Sequence, residues 1–547
     1  MVAIIGVALA ASVAGIANQF ANDDVLLIEE NQRVHSLSHF AEFFGSPYWP
    51  PPYAQDLYRP LASLVFAMQY VLGSGEPVFF RIVSYALYAA VAAAVFLLAR
   101  KLLPRAYAIA AALLFAAHPV HVEAVALAVA QSELIVALIA IGMVTMYLQW
   151  RADGGLTLRR WATLAASYAV AILLKEHGFV LPGLILAAEI FLVTEPRSTR
   201  DRIIGTLLFG GVGSALLFVR RVVLRAFAGT FTAPALVGAT VFIRGLTLFQ
   251  IAPEWIRLMV WPIHLRADYS SREFVASTGF GRAEAMGLAI IVAIVALIWT
   301  MRRRSPVVSF GLSWFAIGLF PVSNVLVPTG ILIAERTLFL PSVGFTLAML
   351  ALAAELRASV RWNAMLVRRL AIGACAALVA AEIARSAERQ RVWRNDGFLS
   401  IRTVQDSPNS FKAQRAYGNT LFWMDQPAMA LEAYERAIAL SPSDQSWRTR
   451  NELARHFRER GERELEAAEL RASLSEKPNQ DQARGLLIVA YLELGNYEAA
   501  EFQADTAMVN GGSPRVYAQL KSIADSADRV GAPRGSINIE LGLGHGP

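Results

Sequence analysis

The chain has 547 residues, of which 56% are hydrophobic and 17% charged, with a mean hydropathy of +0.44. Soluble domains carry about 25% charged residues, so the composition excludes an ordinary soluble enzyme. The single cysteine, Cys375, excludes an internal disulfide and a cysteine-based metal site, and the net charge of +7 is spread between apolar runs rather than gathered into a nucleic-acid-binding patch.

In chain order, the first apolar run extends from Met1 to about Ala17 and lacks the basic start of a secretory signal, so it reads as an uncleaved first span. A polar and aromatic loop follows over about residues 21–80. Further apolar runs lie near 82–99, 106–117, 132–150, 161–174, 178–194, 203–219, 235–251, 254–266, 284–301, 306–320, 338–355 and 370–384. Together they give about 13 spans, although several fall short of the roughly 20 residues of a perpendicular membrane helix. Alternate loops are basic: Arg100-Lys101 with Arg105; Arg151 with Arg159-Arg160; Arg197, Arg200 and Arg202; Arg302 to Arg304; and Arg357, Arg361, Arg368 and Arg369. The positive-inside rule puts all five in the cytoplasm, provided that 235–301 holds three crossings. The N-terminus is then inside, and the 21–80 loop and the tail are outside. This predicts an integral membrane protein with periplasmic C-terminal repeats, in the inner membrane if the source is bacterial.

The composition turns charged near Glu388, dividing a membrane domain, 1–387, from a tail, 388–547. In the tail Pro408, Pro442, Pro478 and Pro514 recur at intervals of 34, 36 and 36 residues. Helix-pair patterns lie between them. Tyr434, Ala437, Leu494, Gly495 and Tyr497 fall where a tetratricopeptide repeat places its packing residues. The expected fold class is therefore all-α: a polytopic membrane helical bundle followed by a repeat α-solenoid. The last ~20 residues, which contain Gly and Pro, read as loose.

Six polar motifs fall at the outer span ends: Asp23-Asp24; DLYRPL with Arg59; HPVHVEAVA with His118, His121 and Glu123, then Gln131 and Glu133; LLKEHG with Lys175, Glu176 and His177; RRVVLR with Arg220, Arg221 and Arg225; and ERTLFLPSVGF with Glu335 and Arg336. Each has a plainer alternative. Asp23-Asp24 reads equally as a solvated loop start, Lys175-Glu176 as an interfacial pair and Arg336-Glu335 as a structural ion pair. His118, His121 and Glu123 offer metal-ligand chemistry at a spacing that fixes no common helix face, so lining of a site by hydrogen bonding is preferred and no metal is assigned. Their common side, and the cost of ionisable groups near lipid, favour one shared site. A carboxylate there can deprotonate an acceptor hydroxyl, with Asp24 favoured as base, Asp23 beside it and Glu123 in reserve. Arginine or lysine can hold a phosphate leaving group, with Arg336 first and Arg59, Lys175 and Arg221 behind it. A lipid-phosphate sugar suits this face, since nucleotide sugars are cytosolic.

DDVLLIEEN, YRPL, HPVHVEAVA, KEHG and ERTLFLPSVGF, followed by the repeats, resemble in their order the transmembrane and tetratricopeptide-repeat O-mannosyltransferases and their bacterial relatives, within the GT-C glycosyltransferases. The resemblance covers about residues 20–345 and the tail. It implies a polytopic inverting transferase that takes a polyprenyl-phosphate sugar, undecaprenyl phosphate in a bacterium, with Asp23-Asp24 matching an essential acidic pair in the first outer loop. Eukaryotic relatives often have an arginine in the segment that here reads Ala130-Gln131-Ser132-Glu133, which bears on the identity of the sugar. The expected partners are the lipid-linked donor, membrane lipid and an acceptor protein held by the repeats. A lipid-linked oligosaccharide ligase, a transporter-like protein and a non-catalytic repeat-bearing scaffold are the competing readings.

Overall fold

The computed structural model describes residues 1–51, 56–195, 198–226, 232–270, 272–359, 364–442, 445–509, 513–530 and 532–535. Arg197, Arg361 and most of the C-terminal stretch expected to be loose lie outside them. Every regular element among the described residues is helical. The chain divides into two compact units, one of 1–269 with 275–406 and one of 270–274 with 407–547. Residues 388–406, read as tail from composition, thus pack in the first unit.

The first unit contains α1 (Val2–Ser12), α2 (Phe40–Gly45), α3 (Pro60–Leu72), α4 (Pro77–Leu102), α5 (Arg105–Ala117), α6 (Val122–Ala126), α7 (Gln131–Ala152) and α8 (Leu158–Leu174). It continues with α9 (Leu181–Leu192), α10 (Thr199–Leu224), α11 (Val241–Val260), α12 (Arg282–Met301), α13 (Pro306–Leu319), α14 (Phe339–Ser359), α15 (Ala364–Gln390) and α16 (Asp396–Asp406). Proline at the first position of α3, α4 and α13 starts those helices where no backbone donor is needed. Among the described residues, five helices are long and apolar enough to cross a membrane: α4, α7, α10, α12 and the 335–359 stretch that ends in α14. A sixth joins them if α5 and residues 119–126, bent by 47°, count as one. The shorter α5, α9 and α13 belong to the packed interior. Gly311 of α13 and Gly344 of α14 meet backbone to backbone, so closely that a Cβ at Gly344 would lie 2.4 Å from the Gly311 carbonyl oxygen. Small residues permit such approach where lipid gives helices little reason to associate.

The expected count of about 13 spans is not confirmed by the helices. The runs at 235–251 and 254–266 form one helix, α11, with Pro253 inside it. Its two ends lie on the same side. Near its start Arg244 donates to the Asn324 carbonyl at 3.3 Å, and near its end Met259 offers its carbonyl to His118 Nε2 at 3.1 Å. Its middle rests on the beginning of α12, where a Cβ at Gly287 would come within 1.6 Å of the Phe249 carbonyl oxygen. One face buries Leu246, Ile251, Trp255 and Leu258 while Phe242 and Val260 are exposed, the pattern of a helix lying across others. Periodicity alone did not distinguish two short spans from one amphipathic helix.

The bundle has two chemically distinct ends. At one, Arg151 pairs with Glu189 at 3.2 Å, Trp161 donates to Asp201 at 3.3 Å, Arg304 reaches Ser359 at 3.2 Å, and Lys101 binds Gln149. The described basic loops fall at this end. The six polar motifs fall at the other.

The second unit has α17 (Phe411–Trp423), α18 (Pro427–Leu440), α19 (Ser446–Glu459), α20 (Arg463–Glu476), α21 (Asp481–Glu493), α22 (Tyr497–Val509) and α23 (Pro514–Arg529). Consecutive helices pair, and the recurring prolines sit just before α17, α19 and α21 and at the first position of α23. Tyr434 is fully buried, hydrogen-bonded to Asn419 and packed on Phe422 at 5.9 Å. The middle pair, weak as a sequence pattern, is secured by Glu466 between Arg458 at 2.8 Å and Arg463 at 3.0 Å.

Candidate active site

The acidic pair is set by an unusual turn. Asn22 takes the left-handed backbone (φ 54°), which asparagine tolerates, and its N–H is held by Asp396 at 2.5 Å. The chain then enters a wide turn over Val25–Glu29. This turn sends the two aspartates in different directions. Asp24 is wholly shielded from solvent. Its carboxylate accepts from the backbone N–H groups of Ala128 (2.9 Å) and Val129 (2.8 Å) and lies 3.4 Å from Arg81. Arg81 also donates to the carbonyls of Gln19 (2.6 Å) and Ala126. Burial pushes the Asp24 carboxyl up to about 6, against Arg81 and the two N–H groups. Asp24, favoured from sequence as the base, thus lies buried against the 126–130 segment rather than open to solvent. Asp23 points the other way, with 28% of its side chain exposed, and stands 3.6 Å from Arg336 Nη2.

Arg336 is the centre of the cluster. Glu123 accepts from its guanidinium at 3.1 Å and from its backbone N–H at 2.8 Å. The plainer alternative, an Arg336–Glu335 ion pair, is not formed among the described residues. Glu335 turns away and accepts from the Arg266 N–H at 2.5 Å and the Tyr269 hydroxyl at 2.9 Å. Successive residues in the tight helical turn 335–338 cannot share a direction.

Two further groups complete the polar end. Lys175 pairs with Glu133 at 2.7 Å, rather than with its neighbour Glu176, and His177 lies 3.4 Å from the same carboxylate. Burial lowers the Lys175 ammonium below its usual range even against Glu133. Glu176 instead sits between Arg59, at 2.6 Å, and Arg220, at 2.9 Å. Burial works to raise the Glu176 carboxyl, but Arg59 and then Arg220 outweigh it and hold the group at about 2. Arg220 also donates to the Asp56 carbonyl at 2.9 Å, and Arg59 lies over the Tyr48 ring at 5.1 Å. Arg59, Lys175, Arg220 and Arg336 are thus set against Asp23, Glu123, Glu133 and Glu176.

The structure brings together Asp23, Glu123, Arg59, Lys175, Glu176 and Arg336 from the sequence candidates. His118 and His121 stand apart as packing residues. His118 is bound to the Met259 carbonyl, and His121 is held between the hydroxyls of Tyr88 (3.0 Å) and Ser342 (2.9 Å) with Phe115 and Phe339 against its ring. Arg221 lies on the exposed side of α10, and Arg220, one residue and about 100° earlier, faces the site. Sequence reasoning also passed over Arg81 and did not place Glu133. Arg81 had a signal: an arginine five residues into an apolar helix demands a partner. Among the described residues, no group of three or more His, Cys, Asp and Glu side chains is placed to hold a metal ion.

No family model matches the chain. Among curated proteins it is similar to "Protein O-mannosyl-transferase TMTC3" of Mus musculus, at 23% identity over 78% of this chain and 49% of the relative. It is also similar to "Protein O-mannosyl-transferase TMTC4" of Homo sapiens, at 26% identity over 60% of this chain and 51% of the relative. "Protein O-mannosyl-transferase F38B6.6" of Caenorhabditis elegans matches at 24% identity over 78% of this chain and 61% of the relative. The chain spans about half the length of the curated relatives it matches. The resemblance read from the ordered motifs therefore holds: this integral membrane protein is a distant relative of the TMTC-named protein O-mannosyltransferases.

Proposed function

We propose that the protein transfers a sugar, mannose by analogy with its relatives' names, from a polyprenyl-phosphate donor to a protein hydroxyl on the extracytoplasmic face of a membrane. The observation that carries this is the geometry of Asp23. It is the partly exposed carboxylate of the acidic pair, and it is only loosely engaged, at 3.6 Å, by an arginine suited to phosphate. The donor phosphate takes the outer edge of Arg336, which Glu123 holds from behind, and displaces that arginine's contact with Asp23. Arg59 and Lys175 add charge nearby. Asp23 then accepts the proton of the acceptor hydroxyl as its oxygen attacks the anomeric carbon from the face opposite the phosphate. The carbon–oxygen bond to phosphate breaks, and the polyprenyl phosphate leaves with the electron pair while the arginines balance its charge. The configuration at the anomeric carbon inverts.

In this reading eleven helices among the described residues (α1, α4, α5, α7, α8, α9, α10, α12, α13, α14 and α15) serve as the crossings, with α11 lying on the outer side. The stretch 235–301 then holds one crossing where three were required, and both numbers are odd. The basic end stays cytoplasmic and the site end outside, which in a bacterium means an inner-membrane protein with periplasmic repeats. The helix pairs of the second unit, read as tetratricopeptide repeats, hold an extended acceptor segment.

The test is transfer from a polyprenyl-phosphate mannose to an acceptor peptide by purified Asp23→Asn protein. A folded variant that binds donor and loses about 10²–10⁴ in rate supports Asp23 as base. Near-normal turnover removes it.

A further inference from the structure

At the end of the bundle away from the candidate active site, α1, α4 and α5 leave an open crevice of about 510 Å³. That volume is within the usual range of small-molecule sites, roughly 300–1,000 Å³. Its walls are Ile4 from α1, Phe96 and Leu97 from α4 and Ile109 from α5. Its rim carries Arg100, in the last turn of α4, and Arg105, the first residue of α5, on either side of the tight Leu103-Pro104 turn. Four other basic side chains at this end are engaged: Lys101 with Gln149, Arg151 with Glu189, Arg160 with the Gly155 carbonyl and Arg304 with Ser359. Arg100 and Arg105 are exposed and make no hydrogen bond or ion pair among the described residues.

We infer that this crevice binds one anionic phospholipid, its phosphate between Arg100 and Arg105 and an acyl chain along Phe96, Leu97 and Ile109. The charge pattern chooses the occupant. Two unpaired guanidinium groups beside an apolar channel match a ligand that has an anion at one end and hydrocarbon at the other, and they leave a zwitterionic lipid only half complemented. Arginine suits the task because its planar fork contacts two phosphate oxygens and is weakly hydrated. The site needs only that the first unit sits in a membrane, and it stands whether or not the proposed transfer is correct.

Native mass spectrometry of the full-length detergent-purified protein, titrated with phosphatidylglycerol or phosphatidylcholine, tests it. Wild type should retain one phosphatidylglycerol in preference to phosphatidylcholine. The Arg100→Gln/Arg105→Gln protein should lose affinity for it about thirtyfold, as expected for two basic groups at an anionic lipid surface. Arg303→Gln, at the same end but outside the crevice, should leave retention unchanged. Ile109→Trp, which fills the channel with both arginines intact, should also abolish retention. Equal retention by the double glutamine variant overturns the site. Retention by the Ile109→Trp variant, together with displacement of the lipid by inorganic phosphate in wild type, overturns the lipid and leaves only an anion site.

Discussion

Asp23 and Asp24 are adjacent in sequence and opposite in environment, and that contrast carries the residue-scale predictions. Asp24→Asn removes the charge facing the buried Arg81 and turns an amide toward a backbone donor it cannot satisfy. Breaking one side of a buried pair typically costs ~3–5 kcal/mol. The variant should therefore show a clearly lowered melting temperature, with activity falling alongside folded protein. An unchanged melting temperature would show that Asp24 does not pin the 126–130 segment. Arg336→Lys should raise the donor concentration needed for half-maximal rate more than it lowers the maximal rate, because a lysine cannot keep Glu123 and two phosphate oxygens engaged at once. A pure fall in abundance with unchanged donor dependence would make Arg336 a structural partner of Glu123 alone. Glu176 gives a pH signature. Its carboxyl sits at about 2, below the ordinary 4.5, because Arg59 and Arg220 overcome its burial. A group lowered in this way stabilises the fold fully above pH 4.5 and loses that contribution as pH falls toward 2. Melting temperatures measured from pH 6 to pH 3 should decline more steeply for wild type than for Glu176→Gln. Parallel slopes would show that the ion pair carries no linkage.

At the scale of elements, the two critical features are a contact and an orientation. The α13–α14 contact depends on glycine at both positions, since a Cβ at Gly344 would meet the backbone of Gly311. Gly344→Val should separate these helices, destabilise the protein by ~1–3 kcal/mol as overpacking does, and shift the 335–338 turn that presents Arg336. A variant with normal stability and normal rate would mean that the two helices slide apart without consequence. The orientation of α11 is checked by chemistry at its ends. Cysteines placed singly at Val241 and Val260, in a protein whose Cys375 is replaced by Ser, should both react with a membrane-impermeant maleimide from the same side. Reaction from opposite sides would make α11 a single crossing and cancel the count of eleven.

The whole molecule divides its labour between a bundle with unlike ends and a set of helix pairs. If the basic end faces the cytoplasm, a periplasm-specific reporter fused after residue 406 should be active and a cytoplasm-specific one silent. The reverse would overturn the shared-face site. Deleting 407–547 should spare donor binding by the first unit and impair transfer to protein acceptors far more than to a short peptide. Full transfer to native acceptors by the shortened protein would leave the helix pairs without a role in acceptor choice.

Much of this was legible from residues alone. Composition dictates a membrane protein, because a chain with 56% hydrophobic and 17% charged residues has too little polar surface to cover a soluble fold of this length. Basic loops and acidic motifs alternate along the chain, and alternation alone assigns them to opposite ends of a bundle. The proline spacing marked the helix pairs, because each pair is a local unit whose boundaries are written in its own turns. What sequence could not decide is direction and partnership. Whether Asp23 or Asp24 faces the cleft depends on one left-handed residue, Asn22. Whether Arg220 or Arg221 reaches Glu176 depends on about 100° of helix rotation. Arg336 binds Asp23 and Glu123 rather than Glu335, and Lys175 binds Glu133 rather than Glu176. In each case the true partner is distant in sequence, and the near neighbour is turned away by the geometry of a tight turn. Hydrophobic periodicity reports that a helix is buried on one side, as for α11, but not whether it passes through the bundle or lies across it. That choice is made by contacts such as Arg244 with Asn324 and Phe249 with Gly287, which exist only once the helices have packed.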